Sequence, residues 1–394
     1  MITYLEAQNL ILSQAKSFGT EVISLNDADG RVLAEDIYAD RDYPPFNRSA
    51  MDGYTIRFED WENGVREFLV QEIIYAGQTP HKELGPGAAF KIMTGAAVPF
   101  PADAVIRRED SLEENGKVSF TVETLKAYQN IARKGEDLKK GTLTVNSATV
   151  CTPSVISTLA TVGESKISVE RLPRIALFTT GDEVKHLDEE IRDVEIRNSN
   201  SYLLKSLLKR WGITPAIYKH LQDDKTELKN NILKALKGDI ILMSGGVSAG
   251  DADYIPEVLE SLGIKKLFHK IAIKPGKPIW CGIMPNGPMV FALPGNPFSS
   301  LVTFKIFVEP FLQKSFGLTP VAPSQSIFRG DKLRKTPFDE FFPARIINAG
   351  TAIEATSLNG SGDIRLGMDA DVLAIHPKDA DKLTDRQVIS YYPL

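Results

Sequence analysis

The chain carries two hydrophobic textures in turn. Between about residues 173 and 318, short unbroken apolar runs alternate with segments whose apolar positions recur every three or four residues. Residues 174–179, 213–218, 239–243 and 289–293 read as strands; 199–211, with leucines at 203, 204, 207 and 208, and 226–236 read as helices. Apolar runs without alternation mark strands covered on both faces, and strands interleaved with helices predict a doubly wound parallel sheet. Residues 38–133 have another texture, with short alternating strands and turns such as Gly85-Pro-Gly87 and Glu114-Asn-Gly116, which predicts a β-rich unit. Beyond Pro320, Pro323 and Ser324 the pattern is β again, and 344–347, 353–356 and 372–375 are expected to build a small C-terminal barrel. Residues 4–18 read as an amphipathic helix ending at Gly19, and a second helix is expected to start at Pro153. The expected fold class is therefore multidomain α/β plus β. Segments 7–37 and 134–168 form a discontinuous linker domain, 38–133 an inserted β-rich domain, 169–318 the α/β domain and 319–394 the barrel.

Composition narrows the function. A formal net charge of −5 argues against bulk nucleic-acid binding, which needs a strongly basic face. The two cysteines, Cys151 and Cys281, form no Cys-x-x-Cys, so neither a disulfide framework nor a cysteine zinc site is expected. No apolar run approaches the roughly 18 residues of a membrane span. The segment 1–12 carries Glu6 and lacks the basic start of a signal peptide, so a cytoplasmic location is expected. The five histidines, at 81, 186, 220, 269 and 376, form no metal-type pair and read as surface or structural.

The candidate chemistry sits where apolar runs end. Ligands of open parallel sheets bind at the carboxyl ends of the strands. There the sequence places Thr180-Gly-Asp-Glu183, Ser244-Gly-Gly-Val-Ser248 and Leu293-Pro-Gly-Asn-Pro297. Consecutive glycines flanked by serines suit a nest of exposed amides for an anion, and Pro297 at a helix start leaves amides free nearby. Rigid turns and helix caps are the plain alternatives for each. Asp251 and Asp253 are two apart and could hold hydrated Mg²⁺, or cap the following helix. Lys270 and Lys274 are four apart; on a strand both ammonium groups would share a face, and a buried pair would need a counter-anion. Lys277 adds a third cation. In the β-rich unit, Asp52 and Thr94 lie in turns and read as ordinary turn residues when taken singly.

Taken together, Ser49-Ala-Met-Asp-Gly-Tyr54, Lys91-Ile-Met-Thr-Gly95, Thr180-Gly-Asp-Glu183, Ser244-Gly-Gly-Val-Ser248, Ile273-Lys-Pro-Gly-Lys-Pro278 and Leu293-Pro-Gly-Asn-Pro297 resemble, in that order, the MoeA family of molybdopterin molybdenumtransferases, which includes the gephyrin E domain. The resemblance spans essentially the whole chain. It implies a MogA-like α/β domain, a homodimer, and a reaction that inserts molybdate into adenylylated molybdopterin with release of AMP, using Mg²⁺. It implies catalytic roles for Asp52, Asp223, Asp253, Lys270 and Lys274, with Asp52 and Thr94 reaching in from the partner subunit and Asp253 and Asp223 holding Mg²⁺. Substrate contacts are implied for Thr94, Asp137, Glu183, Ser244, Gly245, Gly246, Ser248, Lys277, Pro294, Pro297 and Ser361. Asp224 beside Asp223 is a second candidate for the same position. The upstream adenylyltransferase and apo-molybdoenzymes are further implied partners. Two departures stand out. Asn130-Ile-Ala-Arg-Lys-Gly-Glu-Asp137 has Ala132 where the family carries arginine, and the residues after Ser361 read Gly367-Met368 and Ala370-Asp371. Molybdopterin adenylylation and a non-catalytic, gephyrin-like scaffold remain the alternatives.

Overall fold

A computed structural model describes residues 1–247, 254–365 and 367–394. The α/β region contains β1 (Ile175–Thr180), α1 (Ser199–Lys209), β2 (Ile217–Leu221), α2 (Lys225–Ala235), β3 (Ile240–Ser244), α3 (Ile255–Ser261), β4 (Lys265–His269), β5 (Trp280–Ile283), β6 (Met289–Leu293) and α4 (Pro297–Thr303). The sheet order is β2-β1-β3-β6-β5-β4. The first four strands are parallel, and β5 and β4 extend the sheet antiparallel. Every residue of β1, β3 and β6 is buried, as unbroken apolar runs require. Successive side chains divide between two cores. Ile175, Leu177, Leu242 and Phe291 meet Leu204 and Leu208 of α1 and Phe298 and Val302 of α4. Phe178, Ile241, Met243 and Val290 meet Leu228 and Ile232 of α2 and Val258 and Leu259 of α3. The sheet is doubly wound.

Local signals fix the helices. Asn198 caps α1, its carboxamide oxygen accepting the Ser201 amide at 3.1 Å, and Asp224 caps α2 by accepting the Glu227 amide at 2.7 Å. The strand expected over residues 213–218 is shifted to β2, because Pro215 cannot donate to a ladder while Ile213 still fills the core. The N-terminal helix spans Tyr4–Leu12 rather than running to residue 18. A Thr3–Glu6 capping box starts it, and Tyr4, Ala7 and Ile11 enter the core beneath the α/β sheet.

The remaining units are β-rich. Thr20–Ser24 pairs antiparallel with Lys166–Glu170, and Ile37–Tyr38 with Leu143–Val145, so the segments flanking the β-rich unit come together. Between them lies a six-stranded mixed sheet centred on Gly53–Ile56, Ala88–Ile92 and Glu67–Ile74. In the C-terminal unit, Ser324–Arg329, Asp339–Ile347, Ala352–Ala355, Val372–His376 and Val388–Pro393 close into a five-stranded barrel. A two-residue strand from the α/β region, Ile273–Lys274, adds to it in parallel beside Asp339 and Glu340. Among the described residues no helix is long and apolar enough to cross a membrane.

Phe291 is fully buried and packs its ring edge-on against Phe311 at 5.5 Å. Phe291→Ala is expected to destabilise the sheet by about 3–5 kcal/mol, the usual cost of an aromatic-to-alanine cavity. Hydrogen exchange should then show faster opening of the β3 and β6 amides. Unchanged protection would refute this placement of the core.

Candidate functional site

The carboxyl ends of β1, β3 and β6 open into one crevice of about 1350 Å³. Three turns form its floor and one loop, at Lys274 to Pro278, lines a side; the barrel supplies Lys332, Lys335, Thr336, Phe338 and Ser361. Gly245 and Gly246 follow β3 with φ of +102° and +63°, backbone that L side chains rarely adopt. A Cβ on Gly245 would lie 2.7 Å from Thr180 Oγ1 and 2.8 Å from the Thr180 carbonyl oxygen. Only glycine lets this turn lie against β1.

The floor is cross-braced. The buried Ser244 hydroxyl accepts Asn200 Nδ2 at 2.9 Å and lies 3.2 Å from Ser300 Oγ. Asn200 Nδ2 also donates to the Gly295 carbonyl at 2.6 Å. Gly245 does not offer a bare amide, because its N–H donates to the Leu293 carbonyl at 3.1 Å. Ser244 and Gly245 thus lock β3 to the turn after β6. That turn is tied to the barrel: Asn296 Nδ2 donates to Ser361 Oγ at 2.9 Å, and the Phe298 amide to the Ser361 carbonyl at 3.2 Å. Two buried polar atoms of crevice-lining residues, Thr180 Oγ1 and Asn200 Oδ1, have no hydrogen-bond partner among the described residues.

A histidine holds the first turn. His220 Nε2 lies 3.1 Å from the Gly181 carbonyl, which can only accept, so this nitrogen carries the proton. Nδ1 then accepts from Thr179 Oγ1 at 3.0 Å, and that hydroxyl in turn accepts Asn198 Nδ2 at 2.8 Å. The role is structural. Beyond the turn, the Asp223 amide donates to Asp182 Oδ1 at 3.1 Å, and both Asp223 and Glu183 line the crevice.

Cations dominate the opposite side. Lys274, Lys277 and Lys335 line the crevice, and none has a carboxylate within ion-pairing distance among the described residues. Lys277 Nζ instead lies 5.6 Å from the centre of the Phe338 ring. Unpaired ammonium groups in a concave site attract and concentrate anions.

Of the residues singled out from sequence, the crevice gathers Asp223, Lys274, Glu183, Ser244, Gly245, Gly246, Lys277, Pro294, Pro297 and Ser361. Ser248 and Asp253 lie outside the described residues. For Lys270 and Lys274 the shared-face reading does not hold. Only Ile273–Lys274 is strand, and Lys270 takes φ +64°, so the spacing of four does not put the two ammonium groups on one face. Lys270 is not among the crevice residues. Its amide donates to the Ile279 carbonyl at 3.0 Å, closing a loop that the apolar run concealed. Asn198, Asn200, Lys332, Lys335 and Thr336 were missed. Asn198 was readable as a cap before the leucine-rich helix; Asn200 and the barrel residues carried no comparable local signal.

Asp52, Thr94 and Asp137 lie away from the crevice within one chain. Asp52 Oδ1 accepts both the Thr94 hydroxyl and the Thr94 amide at 2.7 Å. These bonds, the hydroxyl foremost, hold the exposed carboxyl below its ordinary value. Asp137 is exposed, its amide donating to the Tyr43 carbonyl. Ala132 is paired in register with Arg48. Arg133 stacks on Tyr128 and Lys134 pairs with Asp42, so Arg48 is the exposed arginine facing that position across the strands.

Fold and site define a multidomain α/β protein with a lysine-lined crevice at the strand ends. The family described as "MoeA N-terminal region (domain I and II)" matches residues 2–163, and the "Probable molybdopterin binding domain" matches residues 176–314. The chain is 34% identical to the molybdopterin molybdenumtransferase of Staphylococcus epidermidis over 92% of its own length and 88% of that protein. It is 37% identical to the Nostoc molybdopterin molybdenumtransferase over 79% of this chain and 72% of that one. The molybdopterin biosynthesis MoeA protein of Pyrococcus horikoshii superposes over the whole of both chains, with a TM-score of 0.86 and 29% identity. The chain belongs to the MoeA family of molybdopterin molybdenumtransferases.

Two outcomes test the local geometry. Gly245→Ala introduces both strain and a clash with Thr180, and is expected to weaken binding of inorganic pyrophosphate about tenfold by calorimetry; undiminished binding would contradict the floor described above. Thr94→Val removes the stronger restraint on Asp52, so its carboxyl should titrate at higher pH, as read by NMR. The sign follows from linkage: a depressed folded value contributes stability above the unfolded value of about 3.9, lost as pH falls through the folded value. Thr94→Val should shrink that window.

Proposed function

We propose that the crevice binds adenylylated molybdopterin and molybdate and that the protein inserts molybdate into the dithiolene with release of AMP. The observation that carries this reading is the set of lysines, Lys274, Lys277 and Lys335, that have no ion-pair partner among the described residues and line, with a glycine floor, a crevice of about 1350 Å³. In the balanced step, water cleaves the phosphoanhydride, AMP leaves, and dithiolene sulfurs replace molybdate oxygens that depart as water. Lys274 and Lys277 offset charge on the phosphates and the oxyanion where it builds up. Whole-length relatives named molybdenumtransferases do not favour the adenylyltransferase or scaffold alternatives.

In this reading Mg²⁺ would be held jointly by crevice carboxylates and the substrate. Among the described residues no three His, Cys, Asp or Glu side chains converge on a metal position. Mg²⁺ is commonly held by one or two carboxylates together with substrate phosphates. Asp223 and Glu183 are the crevice carboxylates that would supply this, with Asp253 a further candidate outside the described residues. When bound, the ion would polarise the phosphoanhydride. In this reading Asp52 and Thr94 complete the crevice from a second copy of the chain, the protein works in the cytoplasm, and the adenylyltransferase and apo-molybdoenzymes lie on either side of it.

The purified protein, given adenylylated molybdopterin, Mg²⁺ and molybdate, is expected to release AMP in a molybdate-dependent manner and to reactivate a cofactor-free molybdoenzyme. Lys274→Ala should cut kcat/KM by about 10²-fold or more, as loss of an electrostatic stabiliser does. Full insertion by Lys274→Ala at saturating substrate would remove Lys274 from the mechanism. AMP release without dependence on molybdate would overturn the proposal itself.

A further inference from the structure

The barrel side of the crevice is organised by one buried carboxylate. Glu340 is 4% exposed and lies on the Asp339–Ile347 strand. Its Oε2 accepts Lys332 Nζ at 3.1 Å, while Oε1 accepts the Lys335 amide at 2.6 Å and the Thr336 hydroxyl at 3.1 Å. In the parallel ladder that joins the two domains, Glu340 is in register with Lys274. Glu340, Lys274, Lys332, Lys335 and Thr336 all line the crevice. Burial pushes the Glu340 carboxyl up, but the Lys332 ammonium and the Lys335 amide outweigh it and hold the group ionised.

We propose that Glu340 is a positioning residue for anion binding. It fastens the Lys332–Thr336 segment to the barrel strand that pairs with Ile273–Lys274, so that lysines from two domains serve one anionic ligand. The inference rests on the anionic-substrate reading above. It differs from a plain electrostatic role in the sign of its effect. Glu340 is a negative charge beside a site for anions, and by charge alone its removal would tighten anion binding. As a positioning residue, its removal loosens the Lys332–Thr336 segment and weakens binding.

Glu340→Gln keeps the volume and removes the charge. Its Kd for inorganic pyrophosphate, measured by calorimetry, is expected to rise about tenfold, the scale of one charge-assisted hydrogen bond. The KM for adenylylated molybdopterin should rise in parallel while kcat stays within about threefold, since the reacting groups are untouched. Thr336→Val cuts one tether without changing charge, and should move both quantities the same way by about threefold. Pyrophosphate binding that is unchanged or tighter in both variants overturns the proposal, as does absence of pyrophosphate binding by the wild type. If Glu340→Gln does not fold, Thr336→Val decides alone. Failure of the wild type to release AMP would count against the proposed reaction, while the pyrophosphate measurements would still decide the role of Glu340.

Discussion

The site depends on how closely β1 and β3 approach at their carboxyl ends. At Gly245 the backbone passes so near Thr180 that a single methyl group would overlap the Thr180 hydroxyl and carbonyl. This contact turns the chain away from the sheet directly after β3, and the Gly245 amide closes onto Leu293 at the end of β6. Ser244, Asn200 and Gly295 brace the same corner. Three strand ends therefore form one rigid floor, and the flanking loops carry charge without having to carry stability. Catalytic constellations gain from such a division, because the order of the site is supplied by the core beneath it.

The parts legible in sequence were those set by local rules. Unbroken apolar runs in β1, β3 and β6 reported burial on both faces, and the glycines after β1 and β3, Gly181, Gly245 and Gly246, stand where the backbone takes positive φ. What failed was periodicity applied across a hidden bend. Ile271 and Ile273 are buried as an alternating strand would bury them, yet Lys270 is left-handed and Lys274 pairs with the barrel. The burial pattern survived while the ladder behind it did not. The barrel's share in the crevice was invisible for a related reason. Lys332, Lys335 and Thr336 owe their place to Glu340 and to a pairing between residues 274 and 340, and no local propensity reports a contact at that separation.

Electrostatically, a mildly acidic chain leaves lysines unpaired in its crevice by tying up carboxylates that line it or flank it. Glu195 is bound by Arg192, and Glu340 by Lys332. Asp182 accepts the Asp223 amide, and Asp224 is consumed as a helix cap. Lys274, Lys277 and Lys335 are left without such partners among the described residues. A net charge of −5 therefore says little about the local field. In a recess with low-dielectric walls, a few unpaired charges outweigh a larger number of distant, solvated ones.

The Lys274 loop belongs to the α/β region in sequence and to the barrel in hydrogen bonding. It leaves the α/β core at Ile271, joins the barrel strand at Ile273–Lys274, and returns to β5 at Trp280. Ser361 makes the reverse crossing, gripping Asn296 and the Phe298 amide at the start of α4. Each domain thus holds a piece of the other's wall. A rigid rotation between barrel and sheet would shear both attachments and move the lysines relative to the glycine floor. The width of the crevice is consequently a property of the joint rather than of either domain, and the barrel is part of the site even though the sheet supplies its floor.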